Sequence, residues 1–141
     1  MIKGKQDMID CVTALAHAKN KQDITKSLEI YHDDVELITP AFSANAYGRK
    51  QVERQLQYFF RLFPDYHITV SEFSKQGKAL HALGLVKLTP NTITGMARSV
   101  TIPASMTFEF SGRSIIKEIF NIDLHLLAEK AGIPLDELIS S

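Results

Sequence analysis

Residues 100–123 read VTIPASMTFEFSGRSIIKEIFNID, and this stretch decides the fold. Val100, Ile102, Ala104, Met106 and Phe108 recur at every second position, the period of a strand with one face buried. Ser111-Gly112 interrupts the run, and a second β-rich segment, Arg113 to Asp123, follows at once. Two strands joined so tightly form an antiparallel hairpin. With Ser111-Gly112 as the loop, counting sets the register: Phe110 faces Arg113, Phe108 faces Ile115, Met106 faces Lys117, Ala104 faces Ile119, Ile102 faces Asn121 and Val100 faces Asp123. The opposite side carries Thr107, Ser105, Pro103 and Thr101 against Ile116, Glu118, Phe120 and Ile122. On the earlier strand the first set is the more apolar, so it is assigned to the interior. That assignment brings Asn121 and Asp123 onto the buried face.

Working outward, Tyr66, Ile68 and Val70 begin an alternating strand that ends near Gln76. Gly77-Lys78 is the turn into Ala79 to Leu88, an almost unbroken apolar strand that carries His81. Thr89 to Ser99 is a polar loop. Upstream the period becomes helical. Met8, Cys11, Val12 and Leu15 mark one face of a helix over residues 7–20. Asp23 caps a second, with Ile24, Leu28 and Tyr31 inward and His32-Asp33-Asp34 at its end. Val35 to Thr39 is a short strand stopped by Pro40. Val52, Leu56, Phe59 and Phe63 form the stripe of a third helix from Arg49 to Phe63, closed by Pro64. Leu124 to Ala131 is a last helix ended by Gly132 and Pro134, and Leu135 to Ser141 adds a further turn. Helices followed by a meander of long antiparallel strands give an α+β fold, helices on one face of a curved sheet. The absence of βαβ alternation argues against a doubly wound nucleotide-binding sheet.

The 141 residues are expected to form one domain spanning 1–141, with enough chain for a core of its own. Sixteen basic and sixteen acidic residues give no net charge, so no cationic field draws nucleic acid or anionic lipid. A single cysteine excludes an internal disulfide and a multi-cysteine metal site. The segment MIKGKQDMID lacks the apolar run of a signal peptide, and no stretch of about 18 apolar residues could span a bilayer. A soluble cytoplasmic protein is the expectation.

A carboxyl group at Asp123 on an apolar face needs a donor, a raised pKa or access to water, and each suits a group that exchanges protons. Asn121, two residues earlier on the same face, could donate to it or to a substrate oxygen. Asp123 also stands where an N-cap for the helix at Leu124 belongs, and both roles stay open. His81 could relay a proton, or be a hydrogen-bonded core histidine. None of the five histidines has metal-ligand spacing, and no glycine-rich phosphate loop exists, so neither metal nor organic cofactor is expected. Cys11 reads as a buried structural thiol. The aromatic stripe with Tyr58, Phe59, Phe60 and Phe63 packs the core and would line any unfilled hollow, with Phe42 and Tyr47 near its mouth.

Several of these features together resemble the SnoaL-like polyketide cyclase family of the nuclear transport factor 2-like (ketosteroid isomerase-like) superfamily. They are Tyr31-His32-Asp33-Asp34-Val35, Gly48-Arg49, Phe63-Pro64-Asp65-Tyr66-His67-Ile68-Thr69-Val70, Phe108-Glu109-Phe110 with Ile115-Ile116-Lys117-Glu118, Asn121-Ile122-Asp123 and Ala131-Gly132. The resemblance implies a cone-shaped barrel in which a strongly curved antiparallel sheet wraps the N-terminal helices and leaves a deep apolar pocket. It implies an aspartate near the end of the last strand as acid/base, which is Asp123. The acidic base of the steroid isomerase branch falls on Thr39, and the helix-1 tyrosine of that branch on Leu15, so isomerase chemistry is disfavoured. The segment Thr89 to Gly95 departs from the glycine-rich loop common in cyclases. The resemblance also implies a homodimer through the outer sheet face, here bearing Ile116, Phe120 and Ile122.

The expected function is thus acid/base chemistry without a cofactor on a small apolar carbonyl compound: cyclisation, isomerisation, dehydration or hydrolysis. Asp123, Asn121 and His81 are the expected catalytic groups. Thr39, Tyr47, Phe59, Met106, Phe108 and Ile119 are the expected substrate contacts. The alternative is a binding module of the same fold that performs no chemistry.

Overall fold

The computed structural model describes residues 4–139. Its elements are α1 (Lys5–Asn20), α2 (Ile24–Ile30), β1 (Tyr31–Thr39), a 3-10 turn (Pro40–Phe42), β2 (Ala44–Tyr47), α3 (Gly48–Leu62), β3 (His67–Gln76), β4 (Ala79–Leu88), β5 (Val100–Ser111), β6 (Ser114–Ile122), α4 (Leu124–Ala131) and α5 (Asp136–Ile139). This is the expected α+β architecture. Six strands in the order β2-β1-β6-β5-β4-β3 form one curved sheet whose edges do not meet. The last four make the antiparallel meander, and β1 joins β6 in parallel.

Local signals account for most boundaries. The Asp23 carboxylate accepts from the Lys26 amide at 3.0 Å and starts α2. Pro64 lies two residues past α3, where a helix cannot continue. Two boundaries differ from the sequence reading. Residues 31–34 extend β1 instead of ending α2, because Tyr31 pairs with Ile115 and its side chain is fully buried. Ala44 to Tyr47, which the sequence reading assigns to no element, pairs with residues 36–39 of β1 as an edge strand. The proposed last turn is α5, and its final residues 140–141 lie outside the described residues.

The register of the β5–β6 hairpin is the principal correction. Ser111 pairs with Ser114, so the loop is Gly112-Arg113, with glycine at the first position at φ 61° as a type II′ loop requires. Phe110 then pairs with Ile115, but Glu109 pairs with Lys117, leaving Ile116 unopposed as a β-bulge. The loop change moves the pairing by two residues and keeps the faces. The bulge moves it by one more, and one residue exchanges the faces of everything beyond it. Glu118 therefore pairs with Phe108 and Phe120 with Met106, both pointing inward. Asn121 pairs with Ser105 on the outer side, and both Asn121 and Asp123 are exposed.

Candidate functional site at the Lys19–Glu118–Tyr31 cluster

Among the described residues four polar or charged residues are buried: Lys19, Ser27, Thr39 and Glu118. Among the buried side chains that α1 and the sheet enclose, Lys19 and Glu118 are the charged pair, with relative exposures of 8% and 1%. Lys19 occupies the last turn of α1 on the stripe Met8, Val12, Leu15, which are all buried. Its neighbour Asn20 fixes the end of that helix on β3. The Asn20 amide donates to the Ile68 carbonyl at 2.9 Å, and the Ile68 amide donates back to Asn20 Oδ1 at 2.8 Å. Glu118 is turned inward by the bulge at Ile116.

Lys19 Nζ donates to Glu118 Oε1 at 3.0 Å and lies 3.1 Å from Oε2. The Tyr31 hydroxyl donates to Oε1 at 2.5 Å. The ammonium also stands 5.7 Å from the centre of the Tyr31 ring. Tyr31 is itself held in place, since Arg49 Nη2 donates to its carbonyl at 2.8 Å while Arg49 Nη1 pairs with Asp33 at 2.6 Å. Burial first, and then the charge and hydrogen bond of Glu118, push the Tyr31 phenol well above its usual pKa. Burial also raises the Tyr66 phenol far above its usual range, with Glu118 adding to the effect. Both phenols are donors at any ordinary pH.

Two hollows meet at this cluster. The outer one lies between α3 and the sheet, lined by Lys19, Leu37, Thr39, Gln55, Leu56, Phe59, Tyr66 and Phe120. The inner one lies against α1 and includes Val12, Leu15, Met106, Phe108 and Glu118. Lys19 and Tyr66 line both. The outer cavity holds about 20 Å³ and the inner about 10 Å³, room on the scale of single waters. Phe59 is one of the aromatic walls of the outer hollow. Its ring packs edge-on against Phe63 at 5.0 Å, Tyr66 at 5.2 Å and Phe120 at 5.8 Å.

Of the residues singled out in the sequence, Thr39 and Phe59 line the outer hollow, and Met106 and Phe108 line the inner one. Ile119 pairs with Thr107 and belongs to the outer side. Tyr47 is 55% exposed at the end of the edge strand. His81 Nδ1 lies 3.1 Å from Thr107 Oγ1, away from the hollows. The Asp123 carboxylate accepts from the Leu126 amide at 3.1 Å as the N-cap of α4. The inward placement of Asn121 and Asp123 is thus corrected, and the bulge is the cause. The outward placement of Phe120 is corrected by the same bulge, since its ring is 5% exposed and lines the outer hollow. Glu118 and Lys19 were missed. The signal for Lys19 was present: residue 19 continues the spacing of Met8, Val12 and Leu15.

Comparison with known proteins agrees with this architecture. The family described as SnoaL-like domain matches residues 12–118. The chain belongs to that family. The match on this SnoaL-like protein runs from the inner stripe of α1 to Glu118 itself. No curated protein matches it significantly. Among solved structures it is similar to a hypothetical protein with a ketosteroid isomerase-like fold from Catenulispora acidiphila DSM 44928, crystallised with trimethylamine. That likeness has a TM-score of 0.82 at 17% identity, over 89% of this chain and 95% of the other. It is also similar to an NTF2-like protein of unknown function from Burkholderia pseudomallei K96243, with a TM-score of 0.77 at 16% identity over 91% and 98% of the two chains. A third is TerC, co-crystallised with polyporic acid, with a TM-score of 0.74 at 17% identity over 87% and 98%. At these identities the likeness speaks for a shared fold.

Among the described residues no three histidine, cysteine, aspartate or glutamate side chains are grouped to hold a metal ion. No helix there is long and apolar enough to cross a membrane.

Proposed function

We propose that this SnoaL-like protein takes a small, largely apolar carbonyl compound where the two hollows meet at Lys19 and Tyr66, with Glu118 on the inner side, and moves a proton on it without a cofactor. Glu118 is the acid/base of this reading, in place of Asp123. Lys19 and Tyr31 hold its carboxylate in place, and Tyr66 is the donor for a substrate oxygen. The observation that carries the reading is a carboxylate 1% exposed, held by an ammonium and a phenol at the meeting of two apolar hollows. A charge so placed is costly to folding unless paired, and paired charges in apolar surroundings are the arrangement that proton transfer uses. Cyclisation, isomerisation, dehydration and hydrolysis all fit that step. The single cysteine suits a cytoplasmic setting. Leu83 and Leu85, 50% and 53% exposed on the outer face of β4, support a homodimer through that face.

The experiment is to identify by mass spectrometry any compound carried through purification, and then to assay Glu118→Gln against it and against a panel of small ketones and aldehydes. Loss of turnover of about a hundredfold or more with the fold retained supports the reading. Full turnover by the variant overturns it. A second reading, ligand binding without chemistry, is favoured by one observation: both Glu118 oxygens are engaged by Lys19, one of them also by Tyr31, and Glu118 lines no part of the outer hollow. A ligand that binds and is returned unchanged by the wild-type protein decides for that alternative.

A further inference from the structure

We infer that Lys19 is a carbonyl-capturing amine, and that the cluster takes small aldehydes and unhindered ketones as a covalent imine on its nitrogen. The inference rests on the carbonyl reading above and names the atom that would bond the substrate. Lys19 and Tyr66 are the side chains shared by the two hollows, so a carbonyl compound in either one meets Lys19. Glu118 lines only the inner hollow. A counter-charge for Glu118 could equally be a guanidinium, which would hold both oxygens in a planar fork. Lysine differs in being able to give up its proton to a neighbour and become a nucleophile. The neighbour is present, with Glu118 Oε1 at 3.0 Å from Nζ.

The step balances within the cluster. Glu118 takes a proton from the Lys19 ammonium, and both groups become neutral together, which apolar surroundings favour. The amine lone pair attacks the carbonyl carbon, forming the C–N bond. The oxygen gains a proton from the nitrogen, giving a neutral carbinolamine. Glu118 then returns its proton to that hydroxyl, which leaves as water while the nitrogen lone pair forms the C=N bond. The products are an iminium on Lys19, the Glu118 carboxylate and one water, with the starting net charge. Tyr31 donates to Glu118 Oε1 in the structure and steadies it. Tyr66, buried and lining both hollows, is the donor for the carbonyl oxygen. Cavities of about 20 and 10 Å³ hold no more than a water-sized group, so even a small carbonyl compound reaches Lys19 only when lining side chains such as the Phe59 ring give way.

Reductive trapping tests this. The folded wild-type protein is incubated with acetone and cyanoborohydride, and the extent of alkylation at each lysine is followed by peptide mass spectrometry. If access alone governed reaction, Lys19 would be labelled last, since it is 8% exposed while Lys78 and Lys87 are exposed. The expected result is the reverse, with Lys19 labelled about tenfold faster than either. Glu118→Gln should slow Lys19 by about a hundredfold and leave Lys78 and Lys87 unchanged. Labelling of Lys19 no faster than the surface lysines overturns the inference. Lys19→Arg keeps the charge against Glu118 and separates the two ideas. Undiminished carbonyl turnover by that variant overturns the imine and leaves proton transfer by Glu118 standing. If no carbonyl compound is bound or turned over by the wild-type protein and Lys19 is not trapped, both fall.

Discussion

Lys19 and Glu118 stand 99 residues apart in the chain and meet through both carboxylate oxygens, at 3.0 and 3.1 Å. Neither side chain has appreciable access to water, with side-chain exposures of 10% and 2%. A pair buried in this way gains little net stability from its attraction, because desolvation offsets it, but it becomes a liability when one partner is removed. Lys19→Met should therefore destabilise the protein by about 3–5 kcal/mol. Replacing the whole cluster, as Lys19→Met, Tyr31→Phe and Glu118→Leu together, should recover most of that loss, since no polar group is then left unpaired. Urea unfolding followed by circular dichroism measures both. A single variant no less stable than the triple would show that the pair is more solvated than its geometry indicates.

The bulge at Ile116 decides which residues face the interior. Deleting Ile116 would carry Glu118, Phe120 and Ile122 to the opposite face and turn Asn121 inward. The cost combines buried polar groups with an exposed Phe120, so the deletion should cost more than about 4 kcal/mol and fail to give a cooperatively folding protein. A deletion variant with a wild-type melting curve would mean that the strand slips freely.

The elements were legible in the sequence because each is punctuated locally. Asp23, Pro64, Gly77 and Gly112 act through their own backbone or side chain, without reference to the rest of the fold. Val100 to Phe108 carried the clean alternation of a half-buried strand, and the inward assignment of Met106 and Phe108 follows from it. Glu118 was not legible, because its direction depends on an unpaired residue that leaves no mark in composition. The face Ile116, Glu118, Phe120, Ile122 does show alternation interrupted by one acid, and a register counted without the bulge placed it outside. Tyr31 was misread as helical because β1 is completed by a parallel partner from the far end of the chain. Long-range pairing of that kind overrides a short helical pattern.

Gly84 marks a second irregularity that supports the curvature. The pairing of β3 with β4 shifts between Val70 and Glu72, and the Thr69 carbonyl oxygen would lie 2.5 Å from a Cβ at residue 84. The obstacle is backbone, so it cannot be relieved by a change of rotamer. Gly84→Ala should destabilise by about 1–3 kcal/mol, read from the urea midpoint. An unchanged midpoint would show that β3 can move away from β4 there at no cost.

Asp123 and Glu118 now predict different phenotypes. Asp123 is exposed and its carboxylate bonds the Leu126 amide, so Asp123→Ala should cost about 1 kcal/mol of stability and leave ligand binding in the hollows unchanged. Glu118→Gln should alter ligand chemistry through the group that lines the inner hollow, and should also lose stability because it leaves the Lys19 ammonium without its counter-charge. Comparing the two variants in one binding and turnover assay checks the assignment. A selective loss of turnover in Asp123→Ala would return the acid/base role to the end of β6.

Tyr31 and Tyr66 tie stability to alkaline pH with a definite sign. Burial, reinforced by Glu118, raises both phenols above the usual value in the folded protein. In the unfolded chain the same groups ionise near pH 10. Above that pH the unfolded state holds fewer protons than the folded one, so stability falls as pH rises. Their contribution is fully present below about pH 10 and is lost above it, at up to about 1.4 kcal/mol per pH unit for each tyrosine. Urea midpoints measured from pH 8 to pH 11 should be flat at first and then fall steeply. Tyr66→Phe should make the fall shallower, because one of the two groups can no longer ionise on unfolding. It should do so even if the variant starts from a lower midpoint, since the slope counts protons and the starting value counts packing. Equal slopes in the wild-type protein and Tyr66→Phe would mean that the phenol of Tyr66 already ionises in the folded state, and that it is not the fixed donor beside Lys19 that the site requires.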